Sequence, residues 1–182
     1  MIKMRYAIEL YFDKEFEEKI LKLPQKLADN NLTTKFLEWK TRPHITLAVF
    51  NDIDESRCIE LLKDFAEKRT SIPAFLDSVG MFNDTKTIFL NPTMTKSMYQ
   101  LHADLHTALS EFDTKGWDWY LPDGWVPHCT VALTSEDEED VFYKASELIL
   151  REFEKMEGKY TAFGLVKITF PVEELAIIPL GK

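Results

Sequence analysis

Pro43-His44-Ile45-Thr46-Leu47-Ala48-Val49 recurs, nearly position for position, as Pro127-His128-Cys129-Thr130-Val131-Ala132-Leu133. The two histidines lie 84 positions apart, close to half of the 182-residue chain. Both stretches read as strands. Successive side chains of a strand point to opposite faces, so residues i and i+2 share one. Ile45, Leu47 and Val49 form one apolar face, and Cys129, Val131 and Leu133 the other, each fit to pack beneath helices. The opposite faces carry His44, Thr46 and Ala48, and His128, Thr130 and Ala132. A histidine and a threonine are costly to bury without partners. These faces therefore predict an opening, with the small alanine leaving room. Pro43 and Pro127 suit the first position of a strand. Each stretch then leads into an acidic turn and an amphipathic helix. Asp52 and Glu55 begin one helix; Ser135 and Glu138, at the spacing of a capping box, begin the other.

Outward from the repeat, Met4–Phe12 alternates and reads as a strand whose less apolar face carries Tyr11. Residues 13–29 have helical periodicity, with Asp13 as N-cap and Pro24 as a kink or break. Residues 36–39 read as a short extended piece, and 54–69 as a helix with Ile59, Leu62, Phe65 and Ala66 inward. Residues 75–82 and 87–90 read as strands joined by a turn at Asn83-Asp84. Residues 95–112 form a helix, 113–126 an aromatic-rich loop, 136–153 a helix, and 160–170 and 174–179 two closing strands. The mixture lacks strict βα alternation and predicts an α+β fold. We take residues 1–182 as a single domain of two intertwined lobes, with motif strands at 43–50 and 127–134.

Bulk properties narrow the function. Hydrophobic residues are 45% and charged residues 29%, values of an ordinary globular chain. No apolar run approaches the ~18 residues of a membrane span. Residues 1–6 lead into the first strand and not into an apolar leader, which predicts a cytoplasmic protein. Two cysteines, Cys58 and Cys129, give no disulfide framework and read as buried small hydrophobes. The net charge is −9, and residues 92–182 hold nearly all of the acidic excess. Such a surface repels polyphosphate and argues against a long nonspecific nucleic-acid groove. A nucleotide or a single RNA terminus remains compatible, because local donors can hold one phosphate.

Two imidazoles across a cleft suit phosphodiester chemistry. In-line cleavage needs a base for the attacking oxygen and an acid for the leaving one, and histidine can serve as either. The hydroxyls of Thr46 and Thr130 can donate to non-bridging phosphate oxygens. No metal or other cofactor is needed. A catalytic zinc commonly takes three protein ligands, and each strand offers one. His102 and His106 lie four apart on a helix without the Glu at 103 of a metalloprotease motif; they read as partly exposed helix-face residues. The five acids within residues 135–140 read as a helix N-terminus favoured by the macrodipole.

The paired motifs resemble the two signatures of the 2H phosphoesterase superfamily, which includes bacterial 2′-5′ RNA ligases and cyclic phosphodiesterases. One His-x-Thr is a weak signal; two with matched flanks half a chain apart are strong. The resemblance also takes in Arg5–Phe12, Ser78-Val79-Gly80-Met81-Phe82, Ile88–Leu90 and Leu101-His102-Ala103-Asp104-Leu105, and so spans the chain. It implies a bilobal, pseudo-two-fold fold in which two antiparallel sheets face a central cleft with helices outside. It further implies metal-independent hydrolysis of a 2′,3′-cyclic phosphate on a nucleotide or RNA end, or its reversal into a 2′-5′ linkage. His44 and His128 become the acid/base pair and Thr46 and Thr130 the phosphate contacts. Cys129 departs from the larger aliphatic common at its position, on the face away from the chemistry. A monomer is expected.

Substrate contacts beyond the motifs are expected from Trp125, three residues before His128, from Phe50, which shares the strand parity of His44, and from Tyr11. Arg42 and Lys40 lead into the first motif and read as solvated charges. The alternative of another class is a non-catalytic module that binds a nucleotide or RNA end in the same cleft. Turnover against stoichiometric binding separates the two.

Overall fold

The structure, a computed structural model, describes residues 4–181; residues 1–3, where the leader reading begins, lie outside them. Seven strands form one antiparallel hydrogen-bonded sheet. β1 (Arg5–Phe12) pairs with β2 (His44–Asn51) on one edge and with β6 (Met156–Lys167) on the other. The far edge of β6 is divided. β7 (Glu173–Pro179) takes residues 162–167, and β3 (Ile72–Phe82) takes residues 156–160. β4 (Thr87–Pro92) and β5 (Cys129–Leu133) follow β3.

This gives two four-stranded halves, β7–β6–β1–β2 and β6–β3–β4–β5. The two expected sheets are thus joined, because one 12-residue strand runs through both. β2 and β5 stand at opposite ends of the strand order yet touch. The sheet folds over and brings its two end strands together, and the polar faces of those strands make the candidate cleft.

Local signals explain the helices. The Asp13 side chain accepts from Phe16 N and opens α1 (Lys14–Asp29). Its other oxygen accepts from Lys159 N of β6 at 2.7 Å, which pins the helix to the sheet. Phe16, Ile20, Leu23 and Leu27 recur at helical spacing and are buried. α1 continues through Pro24 and does not break there. Residues 35–38 form one helical turn, α2 (Lys35–Glu38), where an extended piece was expected. Glu38 N and Trp39 N bond back to Thr34 O and Lys35 O, so the segment satisfies its own backbone without a neighbouring strand. α3 (Glu55–Ala66) is capped by Asp54 and α4 (Lys96–Ala108) by Thr95. Beyond Leu109 the chain tightens into 3-10 turns over residues 110–115. α5 (Glu139–Glu152) starts later than expected because the capping box forms only by half. Glu138 accepts from Ser135 N, but the Ser135 hydroxyl is engaged by Lys35 Nζ.

α1, with α5 alongside, packs against β5 and β6, while α3 lies on β6 and β7 with α4 against it. Nearly all buried apolar side chains join one core, including Ile8, Leu10, Ile45, Leu47, Cys129, Val131 and Phe163. The cleft-side faces of the end strands stay outside that core. Among the described residues no helix is long and apolar enough to cross a membrane.

Candidate active site

The motif strands share an irregularity. Ile8 pairs with Ala48 and Glu9 with Thr46, so Leu47 is an extra residue in β2. Ile88 pairs with Ala132 and Phe89 with Thr130, so Val131 is extra in β5. A bulge of this kind resets which face each following side chain meets. His44 and Thr46 therefore share the cleft face with their cross-strand neighbours Tyr11 and Glu9. Beyond the bulge Ala48 and Phe50 turn to the core, at 1% and 2% exposure, and Val49 comes to the other face. This corrects the expectation for Phe50. Its ring packs on Phe112, with centroids 5.8 Å apart, and does not face the cleft.

The bulge is held from behind. Its carbonyl, Leu47 O, accepts from His102 Nε2 at 2.9 Å and from His106 Nε2 at 3.1 Å. Trp125 Nε1 donates to Thr46 O at 2.9 Å, and its indole lies against the His102 ring. His102 is fully buried and not the partly exposed residue expected. Burial, and then the neighbouring His106, lower its imidazole to about 4, so it is neutral at ordinary pH. Trp125 thus supports the motif strand with the edge of its ring.

The two histidines are oriented alike. His44 Nδ1 lies 2.6 Å from Arg42 O, and His128 Nδ1 lies 2.7 Å from Val126 O, each the carbonyl two residues back. A carbonyl only accepts, so Nδ1 carries the hydrogen and Nε2 is left for other work. The histidine strands also meet. The Cys129 thiol lies by the His44 backbone, and the charge of one imidazole is felt by the other. Burial pushes that thiol up to about 12, which leaves it inert.

Their surroundings differ. His128 stands on an aromatic shelf, edge-on to Phe82 at 4.9 Å and tilted against Phe89 at 5.2 Å. Burial, and next to it His44, lower its imidazole, against the pull of the Val126 carbonyl. On the other side His44 Nε2 lies 3.3 Å from Glu9 Oε1. Glu9 is 5% exposed, and burial above all pushes its carboxyl up. Tyr11 shares this face but is itself buried. Arg42 stacks 4.0 Å over its ring and is paired with Glu17 and Glu174. Arg42 is therefore a bound cation, unlike the solvated one expected.

The aromatic loop covers the neighbouring part of the cleft face. Trp117 and Tyr120 pack on Ala7, Val49 and Val166, and Trp117 N bonds to Val49 O at 3.0 Å. Trp119, between them, is 80% exposed. Among the described residues no group of three or more His, Cys, Asp or Glu is placed to hold a metal ion. His44, Thr46, Tyr11, His128 and Thr130 are thus brought to one region, Trp125 stands behind it, and Phe50 lies outside. The sequence reading missed Glu9. Its signal was a lone acid two residues before Tyr11 in an otherwise apolar strand.

A sheet folded over a cleft, with a His-x-Thr strand at each end, defines a 2H phosphoesterase fold. A family model described as the 2′-5′ RNA ligase superfamily matches residues 17–178, and the chain belongs to that superfamily. The fold is similar to that of Escherichia coli LigT complexed with NADP+, at a TM-score of 0.60 and 17% identity over 99% of each chain. The Thermus thermophilus protein TT0787 gives the same score and identity over 98% of this chain and 100% of that one. E. coli LigT complexed with 3′-AMP scores 0.57 at 16% identity over 98% and 99%. No curated protein matches the sequence. The family and fold are those of phosphoesterases.

Proposed function

We propose that the chain is a metal-independent phosphodiesterase that opens a 2′,3′-cyclic phosphate on a nucleotide or RNA end. The observation that carries this reading is the matched pair of imidazoles. Each fixes Nδ1 on the carbonyl two residues back and keeps Nε2 for chemistry, and each has a threonine two residues on. His128, whose neutral form burial on its aromatic shelf favours, takes the proton of the attacking water. His44 gives a proton to the ribose oxygen that leaves. Thr46 and Thr130 donate to the non-bridging oxygens, and Trp119 is free to stack on a base. The relatives' complexes with 3′-AMP and NADP+ support a nucleotide-sized ligand. The same site run backwards joins a cyclic phosphate to a 5′-hydroxyl.

The test is steady-state turnover of nucleoside 2′,3′-cyclic phosphates in excess chelator by wild type, His44→Ala and His128→Ala. Chelator-insensitive turnover that falls by ~10²–10⁴ in each variant is expected of an acid/base pair. Tight nucleotide binding without turnover would replace the enzyme with a binding module.

A further inference from the structure

Glu9 is an acid where the chemistry handles a phosphate anion. It is nearly buried on the cleft face, opposite Thr46 and next to His44. A carboxylate there opposes substrate unless it does something else. The two histidines indicate what that is. His44 has Arg42 O hydrogen-bonded at Nδ1 and the Glu9 carboxyl at ion-pair range of Nε2, with Oε1 3.3 Å away. A carboxylate at that range favours a hydrogen on Nε2 as well as on Nδ1, because it favours the charged ring. Among the described residues His128 has an acceptor at Nδ1 only, with Phe82 and Phe89 against its ring.

We propose that Glu9 is a positioning residue that keeps a proton on His44 Nε2, so that the Glu9–His44 pair enters each turnover as a loaded general acid. The inference rests on the phosphodiesterase reading and deepens it. It assigns a role that the pseudo-symmetry of the fold does not supply, because the residue paired with Thr130 is Phe89.

The groups facing the pair are few. On β1, Tyr11 lies beside Glu9. Ahead of β2 stands Arg42, held between Glu17 of α1 and Glu174 of β7. β5 contributes His128 and Cys129, and the aromatic loop contributes Tyr120. β6 presents Ala162 and Gly164 opposite Tyr11 and Glu9, which carry no charge. Burial and Glu174 raise the Glu9 carboxyl, while the His44 imidazole at 3.3 Å and the Tyr11 hydroxyl favour its ionised form, so carboxyl and imidazole compete for one proton, here assigned to His44.

The step balances. Water oxygen bonds to phosphorus while its proton passes to His128 Nε2. The bond from phosphorus to one ribose oxygen breaks, and that oxygen takes the proton from His44 Nε2. The pair is then one proton short, and Glu9 faces a monoester that can carry a second negative charge. Product is repelled, and solvent restores both histidines.

Glu9→Gln and Glu9→Asp test this with two readouts. The first is the pH profile of kcat/KM on a cyclic nucleotide. In Glu9→Gln the alkaline limb should move about one pH unit or more toward acid, and Glu9→Asp should restore part of the shift. The second is nitrogen NMR of the histidine rings near neutral pH, with His44 assigned by its loss in His44→Gln. Wild type should show both His44 nitrogens protonated, and Glu9→Gln a neutral ring with hydrogen on Nδ1. A neutral His44 ring in wild type overturns the proposal without any variant, as does an unchanged ring and limb in Glu9→Gln. Loss of all turnover on cyclic phosphates would remove the phosphodiesterase reading instead, while the ring signals still decide whether Glu9 holds the proton.

Discussion

The indole of Trp125 lies flat on the imidazole of His102, with centroids 3.7 Å apart and planes 10° from parallel. Each ring holds one carbonyl of the motif strand, Trp125 at Thr46 and His102 at Leu47. The turn in β2 that leaves His44 and Thr46 on the cleft and sends Phe50 to the core is thus fixed by two stacked side chains from other parts of the chain.

Stability should therefore depend on the charge of His102. Its folded imidazole is lowered to about 4 by burial and His106, while an unfolded histidine titrates near ~6.5. The contribution is intact above the unfolded value and is lost as pH falls toward the folded one, by up to about 3 kcal/mol. Urea unfolding at stepped pH should show the loss in wild type. His102→Phe should be less stable near neutrality and flatter toward acid; parallel curves would mean that His102 is not the titrating group.

Glu9 carries the opposite sign. Its folded carboxyl is raised by burial, so its contribution to stability is present below the unfolded value of ~4.3 and is lost as pH rises through the folded one. Glu9→Gln should melt at a higher temperature than wild type in mildly alkaline buffer, with the gap closing toward acid, while turnover falls. Thermal melts across pH check this, and a variant less stable at every pH would show that the carboxylate supports the fold.

Thr46 and Thr130 lie half-buried on the cleft side of their strands. Thr46→Val and Thr130→Val keep the shape and remove a donor. Each should lower kcat/KM by ~10²–10³, the scale for one donor to developing charge. Melting temperatures should barely change, and serine should restore most of the activity. Steady-state kinetics of the valine and serine variants separate a phosphate contact from a packing role.

Trp125→Phe keeps a ring on His102 and removes the N–H at Thr46 O. An abandoned buried carbonyl costs about 1–3 kcal/mol. The variant should lose that much stability and, with Thr46 less firmly held, roughly tenfold in kcat/KM. Full activity in a destabilised variant would show that the indole stabilises the strand without tuning the site.

Sequence periodicity carried the reading as far as the bulges and no further. His44 with Thr46, and His128 with Thr130, sit before the irregularity, so period-two alternation places them on the face the structure shows. Ala48 and Phe50 sit after it, and the same rule puts them on the wrong side. Leu47 and Val131 are ordinary strand residues, and what makes β2 bulge is the donors that meet it from α4 and the aromatic loop. Those partners are distant in sequence, as is Arg42, whose carboxylate partners come from α1 and β7. The cap of α1 was legible because Asp13 acts within three residues of itself; the Asp54 cap of α3 acts over the same span but was not read, Asp52 being taken as the start. Glu9 was not, because a lone acid in an alternating strand reads as a solvent-side residue until its neighbour is known to be His44.

β6 gives the protein an order of assembly. Both histidine strands are synthesised before residues 156–167, yet β1 and β3 each leave one edge unpaired until β6 fills it. A nascent chain short of that strand carries both imidazoles and lacks the geometry that opposes them. Tyr6 must find Lys167 across almost the whole chain, a long-range closure of the kind that makes folding slow and cooperative. The candidate site therefore assembles late and at once, and half of this molecule is not a smaller version of it.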